Sequence, residues 1–186
     1  SFLEGVEDTT RKKRTISLKH GPNDFDILQR DEYQPPNEAD VLLILPCSQE
    51  KPYSESRTHQ AVLSRLEDYC ERYHKVSISG LYGPVPEDFE EADPVMSYEY
   101  VLTTADDDQV ELVADRLARY LNRYGEQFDQ IIAYTTNKAY RRAIDTAFNR
   151  YGRGEIYPSD PRALQLTEHF RSENIDELVG RFTSSQ

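Results

Sequence analysis

Val41-Leu42-Leu43-Ile44-Leu45 is an unbroken apolar run, and it opens directly into Pro46-Cys47-Ser48-Gln49-Glu50-Lys51-Pro52-Tyr53-Ser54-Glu55-Ser56-Arg57-Thr58-His59. Apolar residues without polar alternation fit a strand covered on both faces, the pattern of a parallel sheet between helices. The loop after such a strand leaves from its carboxyl end, where open α/β sheets bind ligands. This loop carries a thiol, an amine, a phenol, several hydroxyls and an imidazole, a density of reactive groups uncommon in a connector. Pro46 and Pro52 stiffen it, because each fixes its own φ and biases the residue before it towards extended geometry.

Working outward, residues 59–73 read as a helix, with Val62, Leu63, Leu66, Tyr69, Cys70 and Tyr73 on one face and Thr58 as N-cap. His59 would then stand at the helix start, facing the loop. Residues 75–79 read as a second strand, ended by Gly80. The stretch 81–94 is long and rich in Pro and Gly, and loops of that length in a compact domain are usually functional. It too leaves a carboxyl end, so it should lie beside the Cys47 loop. Residues 98–102 suggest a short edge strand.

The clearest helix is 106–124, with acidic residues at its start and Gly125 after its end. A third strand at 130–134, a helix at 138–148, a fourth strand at 154–157 and terminal helices at 164–171 and 174–182 complete the series. Alternating strands and helices predict a three-layer α/β/α domain with a mostly parallel four-stranded sheet. That core domain spans 40–186. Residues 1–39 form a partly irregular N-terminal extension. It holds the basic run 11–14, a possible strand at 15–18, turn chemistry at 21–24 and a brief strand or helical turn at 25–28.

A chain of 186 residues accommodates one domain with a full core. Neither a membrane-length apolar segment nor a secretory signal is visible, and a chain whose two cysteines make no disulfide scaffold fits a reducing cytoplasm. The first residue is Ser1 rather than Met, and the ragged polar start favours a piece of a longer protein. Two cysteines make neither a disulfide scaffold nor, by themselves, a structural zinc site, and Cys70 reads as a small core residue. The four histidines are scattered, so no metal site is expected. There is no Gly-rich phosphate loop and no serine nucleophile elbow, and no cofactor is expected.

The net charge of −12, with few lysines, suggests a salt-loving host. Acidity ordinarily argues against nucleic-acid partners. At molar salt the Debye length falls to about 3 Å, so global repulsion is screened and shape and stacking take over from counterion release.

Two readings of the loop stand side by side. In the chemical one, Cys47 is activated near a cation and attacks an electrophilic carbon such as a nitrile, amide or activated acyl group. Lys51 serves as nucleophile, proton carrier or phosphate clamp, and Tyr53, Ser56 and His59 orient substrate or shuttle protons. In the packing-only one, Cys47 fills space, Lys51 is solvated, and Ser56 and His59 cap a helix.

Pro46-Cys47-Ser48, Lys51-Pro52-Tyr53, Ser56 and His59 together resemble the signature of the archaeosine synthase family, the second archaeal paralogue of tRNA-guanine transglycosylase. Gly83-Pro84-Val85-Pro86, Glu90, Glu91, Pro94 and Tyr98 resemble the family's next block, and the similarity runs from about Asp40 to Phe148. The acidic composition suits a haloarchaeal member.

The resemblance implies tRNA modification: addition of lysine or another amine donor across the nitrile of 7-cyano-7-deazaguanine already placed in tRNA. It implies a uracil-DNA glycosylase-like fold. Other domains belong to the full-length protein, a transglycosylase-like barrel before this module and an RNA-binding domain after it. From the chemistry of these residues, Cys47, Lys51 and His59 are the catalytic candidates around the nitrile, and Ser48, Tyr53, Ser56, Tyr82 and Tyr98 the expected substrate contacts. The alternative is a non-catalytic RNA-binding or scaffolding module, in which Arg141 and Arg142, with Arg150 and Arg153, contact phosphates.

Overall fold

The computed structural model describes residues 20–160, 162 and 165–183. The basic run 11–14 and the strand expected at 15–18 lie outside them. The chain is a mixed α/β fold around a five-stranded sheet in the order β3-β2-β1-β4-β5. The strands are β1 (Val41–Pro46), β2 (Tyr73–Ser79), β3 (Gly83–Pro86), β4 (Gln130–Tyr134) and β5 (Glu155–Tyr157). All pairings are parallel except β2 with β3.

The expected count of four strands is therefore one short. The extra strand is β3, inside the Pro/Gly-rich stretch that reads as loop. Proline cannot donate to a ladder, but an edge strand has one unpaired side, and among the described residues β3 pairs only with β2. Gly83, at φ +77°, makes the tight return from β2 possible. The edge strand expected at 98–102 is instead irregular.

The helix expected over 59–73 is two shorter pieces: α1 (Arg57–Leu63), then a 3₁₀ run at Ser64–Tyr69. Its N-cap is Ser56 rather than Thr58, since the Ser56 hydroxyl accepts from the His59 N–H at 3.2 Å. The change to a 3₁₀ path alters the helical phase, so Cys70 faces solvent and Tyr73 enters β2. A short α2 (Asp93–Ser97) follows β3. The long α3 (Asp107–Tyr124) begins one residue after its expected start, capped by Asp106. Then come α4 (Lys138–Tyr151) and α5 (Ser172–Thr183), the latter preceded by a 3₁₀ turn at Leu166–Phe170.

Every one of Val41–Leu45 is at most 1% exposed, and alternate residues feed opposite cores. Leu42 and Ile44 pack with α3 and α4, while Val41, Leu43 and Leu45 pack with Val62, Leu66, Ile175, Leu178 and Phe182. This is the both-faces burial of a central parallel strand. Phe25, Ile27, Tyr33 and Ala39 join the first core. The Arg116 guanidinium ties that segment down by donating to the carbonyls of Pro22, Phe25 and Tyr82.

Candidate functional site

β1 and β4 are parallel neighbours, but the chain leaves β1 for β2 on the other side. The connections leaving their carboxyl ends therefore run apart, β1 towards β2 and β4 towards β5, which makes a topological switch point where α/β sheets open a crevice. A cavity of about 750 Å³ lies there. Cys47 to Lys51 line one wall, Thr135 to Asn137 another, and Tyr98 to Val101 a third, with Tyr140 and His169 closing the remainder.

Cys47 is the first residue beyond β1, and its N–H donates to the Ile78 carbonyl at 2.8 Å, extending the ladder by one bond. Its Sγ lies 2.9 Å from the Tyr140 hydroxyl, and the Leu102 N–H donates to the same hydroxyl oxygen at 3.3 Å. Lys51 is half-buried. Its ammonium donates to the Tyr98 carbonyl and sits 3.6 Å above the centre of the Tyr98 ring. Burial lowers the Lys51 pKa, with Cys47 and Glu99 opposing the shift. Burial also holds the phenols of Tyr53, Tyr98 and Tyr140 well above the usual range, so they remain hydroxyls.

Of the expected site residues, Cys47, Ser48, Lys51 and Tyr98 line the cavity. Tyr53, Ser56, His59 and Tyr82 are 0–1% exposed and form its backing. Tyr53 shares a hydrogen bond with the Tyr98 hydroxyl, and the Tyr82 ring meets the Tyr98 ring edge-on at 5.1 Å.

His59 is locked. The Lys75 ammonium, 3.1 Å from Nδ1, can only donate, so the ring proton sits on Nε2 and is donated to the Pro46 carbonyl at 2.7 Å. Burial first, and then the Lys75 charge, push the His59 pKa down to about 3. Lys75 is itself paired with Glu90 and donates to Ser54, which donates to Glu90 at 2.7 Å. This buried network holds the Pro46 carbonyl before the thiol-bearing turn and the Ser54 side chain after it.

Sequence reasoning missed Tyr140, His169 and the wall from β4. The wall was detectable, because Thr135-Thr136-Asn137 also leaves the carboxyl end of a buried strand. Asn137 there caps α4 by accepting from the N–H groups of Ala139 and Tyr140, which fixes the Tyr140 turn at the cavity. His169 gives no local signal. It is held by an Nε2 bond to the Thr58 carbonyl at 2.7 Å.

Arg141, Arg142, Arg150 and Arg153 do not line this cavity. Arg141 donates to the Pro158 carbonyl, Arg142 and Arg150 pair with Asp107 and Glu111, and Arg153 donates to the Gly125 and Phe128 carbonyls. Among the described residues no His/Cys/Asp/Glu group could hold a metal, and no helix is long and apolar enough to cross a membrane.

Two predictions arise from this geometry. At Gly80 a Cβ would fall 2.8 Å from the Leu102 nitrogen and 3.0 Å from the Tyr140 hydroxyl. Gly80→Ala should therefore cost about 1–3 kcal/mol in urea unfolding, and a neutral result would mean that segment 98–102 yields freely. The second concerns pH. His59 and His74 fall from 6.5 to about 3 and about 4 in the folded chain, chiefly through burial.

As pH drops below 6.5 the unfolded chain takes up protons that the folded chain refuses. Stability should be intact above that point and drain away towards pH 4, by up to about 1.4 kcal/mol per histidine per pH unit. Glu87, whose pKa is raised mainly by desolvation, opposes the trend. Urea midpoints at pH 7.5 and pH 5 give the check: equal midpoints would contradict neutral burial.

A family model described as Domain of unknown function (DUF5591) matches residues 25–170. An archaeosine synthase subunit alpha from Methanosarcina acetivorans is 31% identical over 129 residues, 69% of this chain and 20% of that protein. The archaeosine synthase of Haloferax volcanii is 35% identical over 105 residues, 56% of this chain and 17% of that protein. The subunit alpha from Thermococcus kodakarensis is 29% identical, covering 76% and 25% respectively.

The chain thus spans about a fifth of the length of the curated relatives it matches. These relatives are spread over several organisms, and the expected haloarchaeal source is not singled out. The crystal structure of AF0587, a protein of unknown function, superposes with a TM-score of 0.59 at 25% identity, covering 80% of this chain and 46% of that one. The family match runs through the apolar strand, the Cys47 loop and all walls of the cavity: the chain belongs to the DUF5591 domain family.

Proposed function

We propose that this domain is the nitrile-converting module of an archaeosine synthase-type enzyme. It takes 7-cyano-7-deazaguanine, carried by a tRNA, into the switch-point cavity and adds lysine or another amine donor to the nitrile. The observation that carries the reading is the half-exposed Cys47 thiol on a fixed backbone in the cavity of a domain shared with curated archaeosine synthases.

The Cys47 sulfur adds to the nitrile carbon. An S–C bond forms, one π bond of C≡N breaks, and the nitrogen gains a proton, giving a thioimidate. The amine then attacks the same carbon, the C–S bond breaks, the thiol returns, and an amidine remains. Nothing is oxidised or reduced, so no cofactor enters. Lys51, with its lowered pKa, is suited to exchange protons with the incoming amine. Ser48 and Tyr98 face the base, and Tyr53, Ser56 and Tyr82 support them from behind.

His59 positions rather than titrates, because both ring nitrogens are engaged. The volume of about 750 Å³ is of the size small-molecule sites take and accommodates a flipped-out base with an amine beside it. The wider reading is of a uracil-DNA glycosylase-like layer architecture in a cytoplasmic, multidomain tRNA-modifying protein whose other domains hold the tRNA.

The test is mass spectrometry of the chain after incubation with 7-cyano-7-deazaguanosine, with and without lysine. The expected result is a mass increase equal to one nucleoside on Cys47, discharged by lysine as an amidine. No adduct and no nucleoside binding, with tRNA retained, would overturn the reading in favour of an RNA-binding or scaffolding module.

A further inference from the structure

The Tyr140 hydroxyl has three positions to assign: two acceptor lone pairs and one proton. The Leu102 N–H occupies one lone pair at 3.3 Å. Cys47 Sγ, at 2.9 Å, meets the oxygen at a second position. With the thiol proton on that second lone pair, the hydroxyl proton has no hydrogen-bond acceptor among the described residues, and Tyr140 borders the cavity. The residue is otherwise 3% exposed, and its backbone is set by the Asn137 cap of α4. At Gly80 the sequence leaves out the side chain that would crowd this meeting point.

We infer that Tyr140 is a catalytic residue of this site, relaying the Cys47 thiol proton to the nitrogen of a nitrile as the sulfur attacks its carbon. The inference rests on the reading of Cys47 as the nitrile acceptor. In the step, the S–H bond breaks and its proton passes to the tyrosine oxygen. The sulfur pair forms the S–C bond, the π pair moves to nitrogen, and the original O–H proton is delivered there. Tyr140 ends as it began, and no free phenolate forms. Burial, which opposes ionisation of this phenol, suits a relay and disfavours an anionic base. Neither His59, whose nitrogens are both engaged, nor Lys51, which bonds the Tyr98 carbonyl, makes a direct contact with the sulfur that would replace it.

The test compares two electrophiles on the Cys70→Ser chain, with modification of the Cys47 peptide read by mass. 2-Cyanopyrimidine needs a proton on its nitrogen as the thiol adds. Iodoacetamide loses iodide and needs none. Tyr140→Phe should slow nitrile addition about 100-fold and leave iodoacetamide alkylation at high pH, where thiols are already ionised, within twofold. In the unsubstituted Tyr140 chain, nitrile addition should slow about twofold or more in D₂O, a measurement that needs no Tyr140 variant.

Equal losses with both reagents would mean that Tyr140 only places the sulfur. Equal nitrile rates in Tyr140→Phe, the lack of a solvent isotope effect, or no nitrile addition by the starting chain would each overturn the relay. A chain that adds 2-cyanopyrimidine through Tyr140 but ignores 7-cyano-7-deazaguanosine keeps the relay and sinks only the substrate assignment.

Discussion

Replacing Cys47 by Ala, and separately by Ser, should abolish adduct formation and lower conversion of the nitrile by about 10³-fold or more in the complete enzyme, as expected when a covalent nucleophile is lost. Serine is the sharper of the two. It keeps nearly the same shape and a hydroxyl, so it isolates nucleophilicity from packing. A serine nucleophile needs a base within hydrogen-bond reach. The nearby imidazole, His59, has one nitrogen donating to the Pro46 carbonyl and the other accepting from Lys75. His59 is therefore not free to act as a base for a hydroxyl at position 47. Because Cys47 is half-exposed at the cavity wall, neither change should shift the urea midpoint much. Conversion at the unsubstituted rate in both variants would remove the covalent role and leave the sulfur as a mere piece of wall.

The second large effect lies behind the cavity. Lys75 and Glu90 form an ion pair whose side chains are 1% and 6% exposed. Glu90→Ala would leave an ammonium among Ser54 and His59 without its counter-charge, at an expected cost of about 3–5 kcal/mol. That is a large share of the roughly 5–15 kcal/mol that holds a domain of ordinary stability. Replacing both partners at once, Lys75→Met with Glu90→Leu, should cost markedly less, since no charge remains stranded. Urea unfolding of the single and double variants measures the difference. A Glu90→Ala loss below about 1 kcal/mol would mean that water reaches the ammonium after all. The single variant should also loosen the turn before Cys47, because Lys75 holds the His59 tautomer that grips Pro46.

What a reader of the residues could see was the local pattern, and where structure depends on local pattern the reading held. Val41–Leu45 declares a doubly covered strand by composition alone, and Asp106 caps the start of α3 as its side-chain chemistry suggests. What failed depends on distant partners. Pro84 and Pro86 argue for a loop unless one knows that, among the described residues, β3 is an edge strand paired with β2 alone. Cys70 sits at a helical core position unless one knows that the helix tightens into a 3₁₀ path at Ser64.

The same division runs through the site. Cys47, Ser48 and Lys51 share a strand end, so one loop brings them together. His59 belongs to the same short stretch, yet its orientation is decided by Lys75 on a neighbouring strand, which no spacing rule reports. Tyr140 could be found only through the hydrogen bond that joins it to the sulfur across the sheet edge.

The crevice draws on chain positions as far apart as Pro46 and His169, while the stretch holding the reactive thiol is short. A proteolytic piece carrying that stretch alone would keep its functional groups and lose the enclosure that gives them a common target. Two halves severed between α3 and β4 would each hold one side of the opening, and only their reassociation would restore it.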